Sequence, residues 1–201
     1  MSKAEQTRER IIEQAARLFN RQGFAGVSMS ALMTATGLKK GGIYNHFASK
    51  DELAIAAFDY IVQLTSQRQL SAMRSRRRGD ERLKAMVHAF VDSFDEMSTW
   101  GGCPLMNTII DSDDAHPILR EKARLAMEKW QHLIECIVQR AIRRGEMTAQ
   151  SDPKMVATIL ISVLEGALAL ARLQSNRTLM QHAQAHLDSY INSLIAPTDA
   201  A

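Results

Sequence analysis

Apolar positions recur three and four residues apart along almost the whole chain, and the alternation expected of strands is nearly absent. The spacing predicts a first helix from about Lys3 to Arg21. Ile11, Ile12, Ala15, Ala16, Leu18 and Phe19 form its apolar stripe, Glu and Arg occupy the other face, and Gly23 follows as a natural C-cap. Phe24 and Val27 can fold back onto that stripe. Ser28 or Ser30 suits the N-cap of a second helix through Met29, Leu32 and Met33, which Gly37 stops, with Leu38 as the apolar pin of the turn. A very short third helix runs from Lys39 or Lys40 to His46, with Ile43 and Phe47, four apart, facing inward. Ser49 and Glu52 have the spacing of a capping box, opening a fourth helix that continues to about Met73.

The remainder reads as a helical body, with helices near 80–97, 104–111, 116–144, 152–173 and 178–195. Pro104, Pro117 and Pro153 suit first-turn positions. The run RSRRRGD at 74–80 reads as a solvated break supported by Gly79, DSDDAHP at 111–117 as a polar turn, and Gly145 as a helix stop. The tail APTDAA is expected to fray. The fold class is therefore all-α: a three-helix helix-turn-helix head at residues 1–50 joined to a six-helix body at 51–201.

Charge sharpens that division. Of the chain's net +3, residues 1–50 carry eight basic against three acidic side chains, or +5, leaving −2 for the rest. A basic head on a mildly acidic body suits a polyanion partner, although segregated charge alone does not select one. No apolar run is read as reaching the ~20 residues of a membrane span, and the first residues lack a signal-like apolar core, so no membrane partner and a cytoplasmic location are expected. Cys103 and Cys136 are the only cysteines. Two thiols cannot complete a tetrahedral zinc site, and no C-x-x-C or H-E-x-x-H motif joins them, so no metal and no cofactor are expected.

The stretch TGLKKGGIYNHFASKDEL, Thr36 to Leu53, carries the most chemistry. Its Gly41-Gly42 pair follows a helix, and no GxxxxGK[ST] is present, which excludes a phosphate loop of the nucleotide-hydrolase kind. A helix-turn-helix fits better, because its second helix must approach base edges closely, and small residues at its leading end permit this at a cost in helix stability. Lys39 and Lys40 add positive charge there, Tyr44 a ring and hydroxyl, Asn45 a group able to pair with adenine, and His46 a donor for phosphate. From these residues alone, a helical hairpin turning its polar face to water is equally consistent.

The segment TRERIIEQAARLFNRQGFAGVSMSALMTATGLKKGGIYNHFASKDEL resembles the DNA-binding head of the TetR family of bacterial repressors. The parts recur in order: the Ile-x-x-Ala-Ala-x-x-Leu-Phe helix, the Gly-Phe turn, the two-helix unit and Tyr-x-His-Phe-x-x-Lys. The resemblance implies DNA contacts at Ser28, Lys39, Lys40, Gly41, Gly42, Tyr44, Asn45, His46 and Lys50. Lys39 stands where a serine is more usual and Gly42 where Thr, Ser or Ala is commoner, which puts a side-chain contact there in question. It also implies a homodimer on a palindromic double-stranded DNA operator, with heads about 34 Å apart.

For the body the resemblance implies a four-helix dimer surface from two chains and a helical cage for a small effector. Val163, Gly166, Ala167, Leu170, Leu187, Tyr190, Ile191 and Leu194 are the candidate dimer residues. Phe90, Phe94, Met97, Trp100, Met106, Ile110, Met127, Trp130 and Leu133 are the candidate cage lining, a mix of aromatics and adaptable methionines suited to a largely apolar or aromatic small-molecule effector. WGGCPLMNTIIDSDDAHP at 100–117 resembles one TetR subgroup in which Gly-Cys-Pro precedes the sixth helix. The expected function is a ligand-responsive transcriptional repressor. An activator or dual regulator of the same fold, or a thiol-based sensor through Cys103, are the alternatives. An enzyme is disfavoured by the absence of a glycine-framed serine nucleophile, paired metal motif or dinucleotide fingerprint.

Overall fold

The computed structural model describes residues 2–112 and 116–197. Among these, ten helices follow in order: α1 (Lys3–Gly26), α2 (Met29–Thr36), α3 (Lys40–Tyr44), α4 (Lys50–Met73), α5 (Gly79–Asp92), α6 (Phe94–Trp100), α7 (Pro104–Asp111), α8 (Pro117–Arg143), α9 (Pro153–Leu173) and α10 (Thr178–Ser193). The expected fifth helix is divided at Ser93, whose hydroxyl donates to the Ala89 carbonyl at 2.7 Å and competes with the helical ladder there. The expected polar turn at 111–117 and the frayed tail fall partly outside the described residues.

The local signals act as read. Ser28 Oγ accepts from Ala31 N–H at 3.1 Å and starts α2. Gly37 (φ 69°) ends it in the left-handed conformation, its N–H donating to the Met33 carbonyl at 2.9 Å. Ser49 Oγ accepts from Glu52 N–H at 3.0 Å, while the Glu52 carboxylate reaches back to Ala48 N–H at 2.6 Å, one residue earlier than in a strict capping box.

The chain divides into two compact units, Met1–Thr65 with Met97–Ala126, and Ser66–Glu96 with Met127–Ala201. The first is built on Ile11, Ile12, Ala15, Ala16, Val27, Leu32, Ile43, Phe47, Leu53, Ala57 and Ile61, all buried. Ile43 and Phe47, each 1% exposed, fix α3 against α1 and α2. Truncating either costs about 2–5 kcal/mol.

In the second unit α5, α9 and α10 enclose Leu83, Met86, Val87, Leu160, Leu164, Leu168, Met180, Leu187 and Ile191. Gly79 is not part of a solvated break. It is buried in the first turn of α5, where a Cβ would lie 2.4 Å from that of Ala141. Helix α9 corrects the expectation that no apolar run reaches membrane-spanning length, since by length and composition alone it qualifies. Within an 18-residue window of it, 44% is buried in the chain, as in a core helix with one uncovered side.

Candidate nucleic-acid interface

The polar edge of α2–α3 is built by caps and by two anchors. Ile43 and Phe47 point into the core, which turns Lys39, Lys40, Gly41, Tyr44 and Asn45 outward, all exposed, with Gly42 and His46 half-exposed. The Lys40 ammonium stands 5.7 Å from the Tyr44 ring centroid, within cation–π range. Asn45 closes α3, its backbone N–H donating to the Gly41 carbonyl at 2.9 Å and leaving its side chain outside. Ser28 is exposed, but its hydroxyl oxygen already serves the α2 cap.

The two glycines have no internal justification. Neither has positive φ. A Cβ on Gly41 would meet nothing within 4 Å, and one on Gly42 would make an ordinary contact of 3.5 Å with the Leu38 side chain. Two glycines in a five-residue helix each sacrifice about 0.8–1.0 kcal/mol relative to alanine.

Lys50 is employed differently from the expectation. Its ammonium donates to the Phe24 carbonyl at 2.6 Å and lies 4.3 Å from the Phe24 ring centroid. This charge ties the start of α4 to the end of α1 instead of standing free for phosphate. Phe24 is also stacked on Phe19 and met edge-on by His116 at 4.6 Å.

The end of α1 is held by polar contacts that the sequence reading did not identify. Asn20 Nδ2 donates to the carbonyls of Trp100 (2.7 Å) and Gly102 (3.1 Å), and Asn107 Nδ2 donates to the Asn20 carbonyl and the Gly101 carbonyl, each at 3.0 Å. The Asp111 carboxylate accepts from Phe24 N–H at 2.6 Å and packs so closely on Gly23 (φ 72°) that a Cβ there would lie 2.3 Å from Oδ1. Gly23 was legible as a helix breaker, but it kinks α1 (φ 72°, ψ 165°) rather than capping it, and the helix resumes to Gly26. Asp111, 87 residues after Phe24 in sequence, had no local signal.

The nine candidate cage residues do not gather in one unit. Met97, Trp100, Met106 and Ile110 belong to the first; Phe90, Phe94, Met127, Trp130 and Leu133 to the second. Trp100 packs on the α1–α4 core, with the Arg17 guanidinium 5.0 Å from its ring centroid. A cavity of about 540 Å³ in the first unit includes Ile110 among its lining but is walled mainly by Phe19, Phe24, Phe58, Asn107 and Asp111. In the second unit Phe90 stacks on Trp130 with centroids 5.9 Å apart, and Trp130 Nε1 is buried with no hydrogen-bond partner.

Of the dimer candidates, Leu187 and Ile191 are fully enclosed by their own chain and offer nothing to a second one. Gly166 and Leu170 are exposed, and Val163, Ala167, Tyr190 and Leu194 are half-buried. Cys103 is buried at the N-cap of α7, and neither cysteine forms a disulfide.

The family model described as "Bacterial regulatory proteins, tetR family" matches residues 11–57, and that described as "Tetracyclin repressor-like, C-terminal domain" matches residues 79–187. The crystal structure of a TetR transcriptional regulator from Chloroflexus aurantiacus is 40% identical, covers 98% of this chain and 100% of its own, and superposes with a TM-score of 0.93. A TetR family regulator from Cytophaga hutchinsonii is 32% identical over 98% of this chain and 99% of its own, with a TM-score of 0.85. The HTH-type transcriptional regulator LmrA of Bacillus subtilis is 25% identical over 177 residues, 88% of this chain and 92% of its own length. The outward-facing α2–α3 edge and the helical body are thus those of a DNA-binding regulator rather than an enzyme, and the chain belongs to the TetR family of bacterial transcriptional regulators.

Proposed function

We propose that this protein is a cytoplasmic, ligand-responsive repressor. It binds a palindromic operator as a homodimer and is released by a small, largely apolar or aromatic effector. The observation that carries the reading is the glycine pair of α3, Gly41 exposed and Gly42 half-exposed, neither strained nor crowded, at the front of a helix whose inner face is anchored by Ile43 and Phe47. Residues 1–50 serve as the reading head, with Lys39, Lys40, Tyr44 and His46 supplying contacts to phosphate and Asn45 a base contact.

Residues 51–201 serve dimerisation and effector binding. The uncovered side of α9 supports the first role: Met155, Leu170 and Leu173 are 50%, 52% and 82% exposed, and Gly166 has open space beside it. An apolar stripe of this length on one helix is costly to leave in water, and a second copy of the same stripe covers it by symmetry. The stacked Phe90–Trp130 pair gives the second unit two neighbouring aromatic rings, which supports an aromatic effector.

Selection of bound fragments from genomic DNA, followed by titration of the selected duplex and a scrambled one at fixed salt, tests the reading. Specific binding requires the selected duplex to bind far more tightly. Equal affinity for the two would refute it.

A further inference from the structure

The end of α4 and the first turns of α5 border a cavity of about 530 Å³ that lies wholly within the second unit. Its lining includes three arginines, Arg74, Arg76 and Arg82, together with the hydroxyl of Ser71 and the amide of Gln67, and no carboxylate. Arg82 Nε is buried and has no hydrogen-bond partner. A guanidinium keeps its charge at every pH at which proteins fold, and Arg82 is half-buried, with one of its N–H groups left without an acceptor. Of the acids close in sequence, Asp80 pairs with Arg78 at 2.9 Å, and the exposed Glu81 is not among the lining residues; Glu146 accepts from Gly79 N–H at 2.8 Å. Among the described residues, none of the three lining arginines makes an ion pair.

Three like charges around one space repel one another until an anion enters. The planar fork of arginine fits carboxylate and phosphate oxygens two at a time. The volume falls within the range of sites for small organic molecules, and Leu70, 49% exposed on the same lining, offers such a molecule an apolar wall.

We propose that this cavity is a binding site for a small organic anion, a phosphomonoester or a polycarboxylate, held jointly by the half-buried Arg82 and the exposed Arg74 and Arg76. The site shares no lining residue with the Phe90–Trp130 pair.

Isothermal titration of the full-length protein with glycerol 3-phosphate, citrate and inorganic phosphate, at an ionic strength fixed with chloride, tests this. At least one of the two organic anions is expected to bind saturably, and which of them does so distinguishes phosphate from carboxylate recognition. R82Q should weaken binding about ten- to a hundred-fold. R74A/R76A, which alters only exposed side chains, should weaken it about five-fold. R77A, at an exposed position outside the lining, should leave it unchanged. Failure of both organic anions to bind would overturn the proposal, as would losses in R77A equal to those in R74A/R76A. So would weakened duplex-DNA binding by R74A/R76A without any small-anion binding, which would assign these charges to nucleic acid.

Discussion

Replacing Gly41 by alanine separates the two reasons a glycine could occupy the second position of α3. If it served the fold, the structure would have to crowd it or twist it. Instead a Cβ at this position meets nothing within 4 Å, and the residue has no positive φ. Alanine should therefore stabilise the helix by up to about 1 kcal/mol, the intrinsic difference between the two residues in a helix. On DNA the sign reverses, because the added methyl occupies space through which the helix end approaches the groove. A loss of about 1.4 kcal/mol, a factor of ten in affinity, is expected for the selected operator. Urea denaturation reads the first effect, and fluorescence anisotropy with labelled operator at one salt concentration reads the second. A variant that is more stable and binds operator as well as the wild type would refute close approach as the reason for the glycine. A destabilised variant would instead reveal an internal need for it.

The other predictions concern the supports of the head and the body. D111A leaves the Phe24 N–H without its acceptor and should lower stability by about 1–3 kcal/mol; an unchanged urea midpoint would show that water replaces the carboxylate without cost. K50M removes both the bond to the Phe24 carbonyl and the cation over its ring, so it should cost about 1–2 kcal/mol of stability. A large loss of DNA affinity at unchanged stability would return Lys50 to phosphate contact. G166R adds a long charged side chain where the chain itself leaves open space, so it should fold normally yet sediment as a monomer and lose operator affinity; a persistent dimer would move the interface elsewhere. Burial pushes the Tyr190 hydroxyl above its ordinary value of 10.0, with Asp152 adding to the shift. The folded chain thus holds this proton more tightly than the unfolded one. The associated stability is complete below about pH 10 and declines as pH rises through the raised folded value, and Y190F should flatten that alkaline decline in urea melts.

What was legible in the sequence was whatever is encoded within a few residues. The Ser28 cap, the left-handed Gly37 and the Ser49 start of α4 are local chemistry, and Ile43 with Phe47 fixes the outward face of α3 by helical period alone. The division at Ser93 was missed because a serine hydroxyl within an otherwise periodic run has several ways to bond, and only the formed structure selects the Ala89 carbonyl. Helical period gives a face but not what covers it. Hence Leu187 and Ile191 were grouped with Leu170, although α10 turns the first two into its own chain. Lys50 and Asp111 required knowledge of the long-range approach of α4 and α7 to Phe24, which no spacing carries.

Amide hydrogen–deuterium exchange with and without operator bears most directly on the reading head. If α3 enters the groove, peptides spanning Leu38–Phe47 gain protection with the selected duplex and not with a scrambled duplex at the same salt. Unchanged exchange across that segment in a fully bound sample would contradict a DNA-reading role for Gly41 to His46.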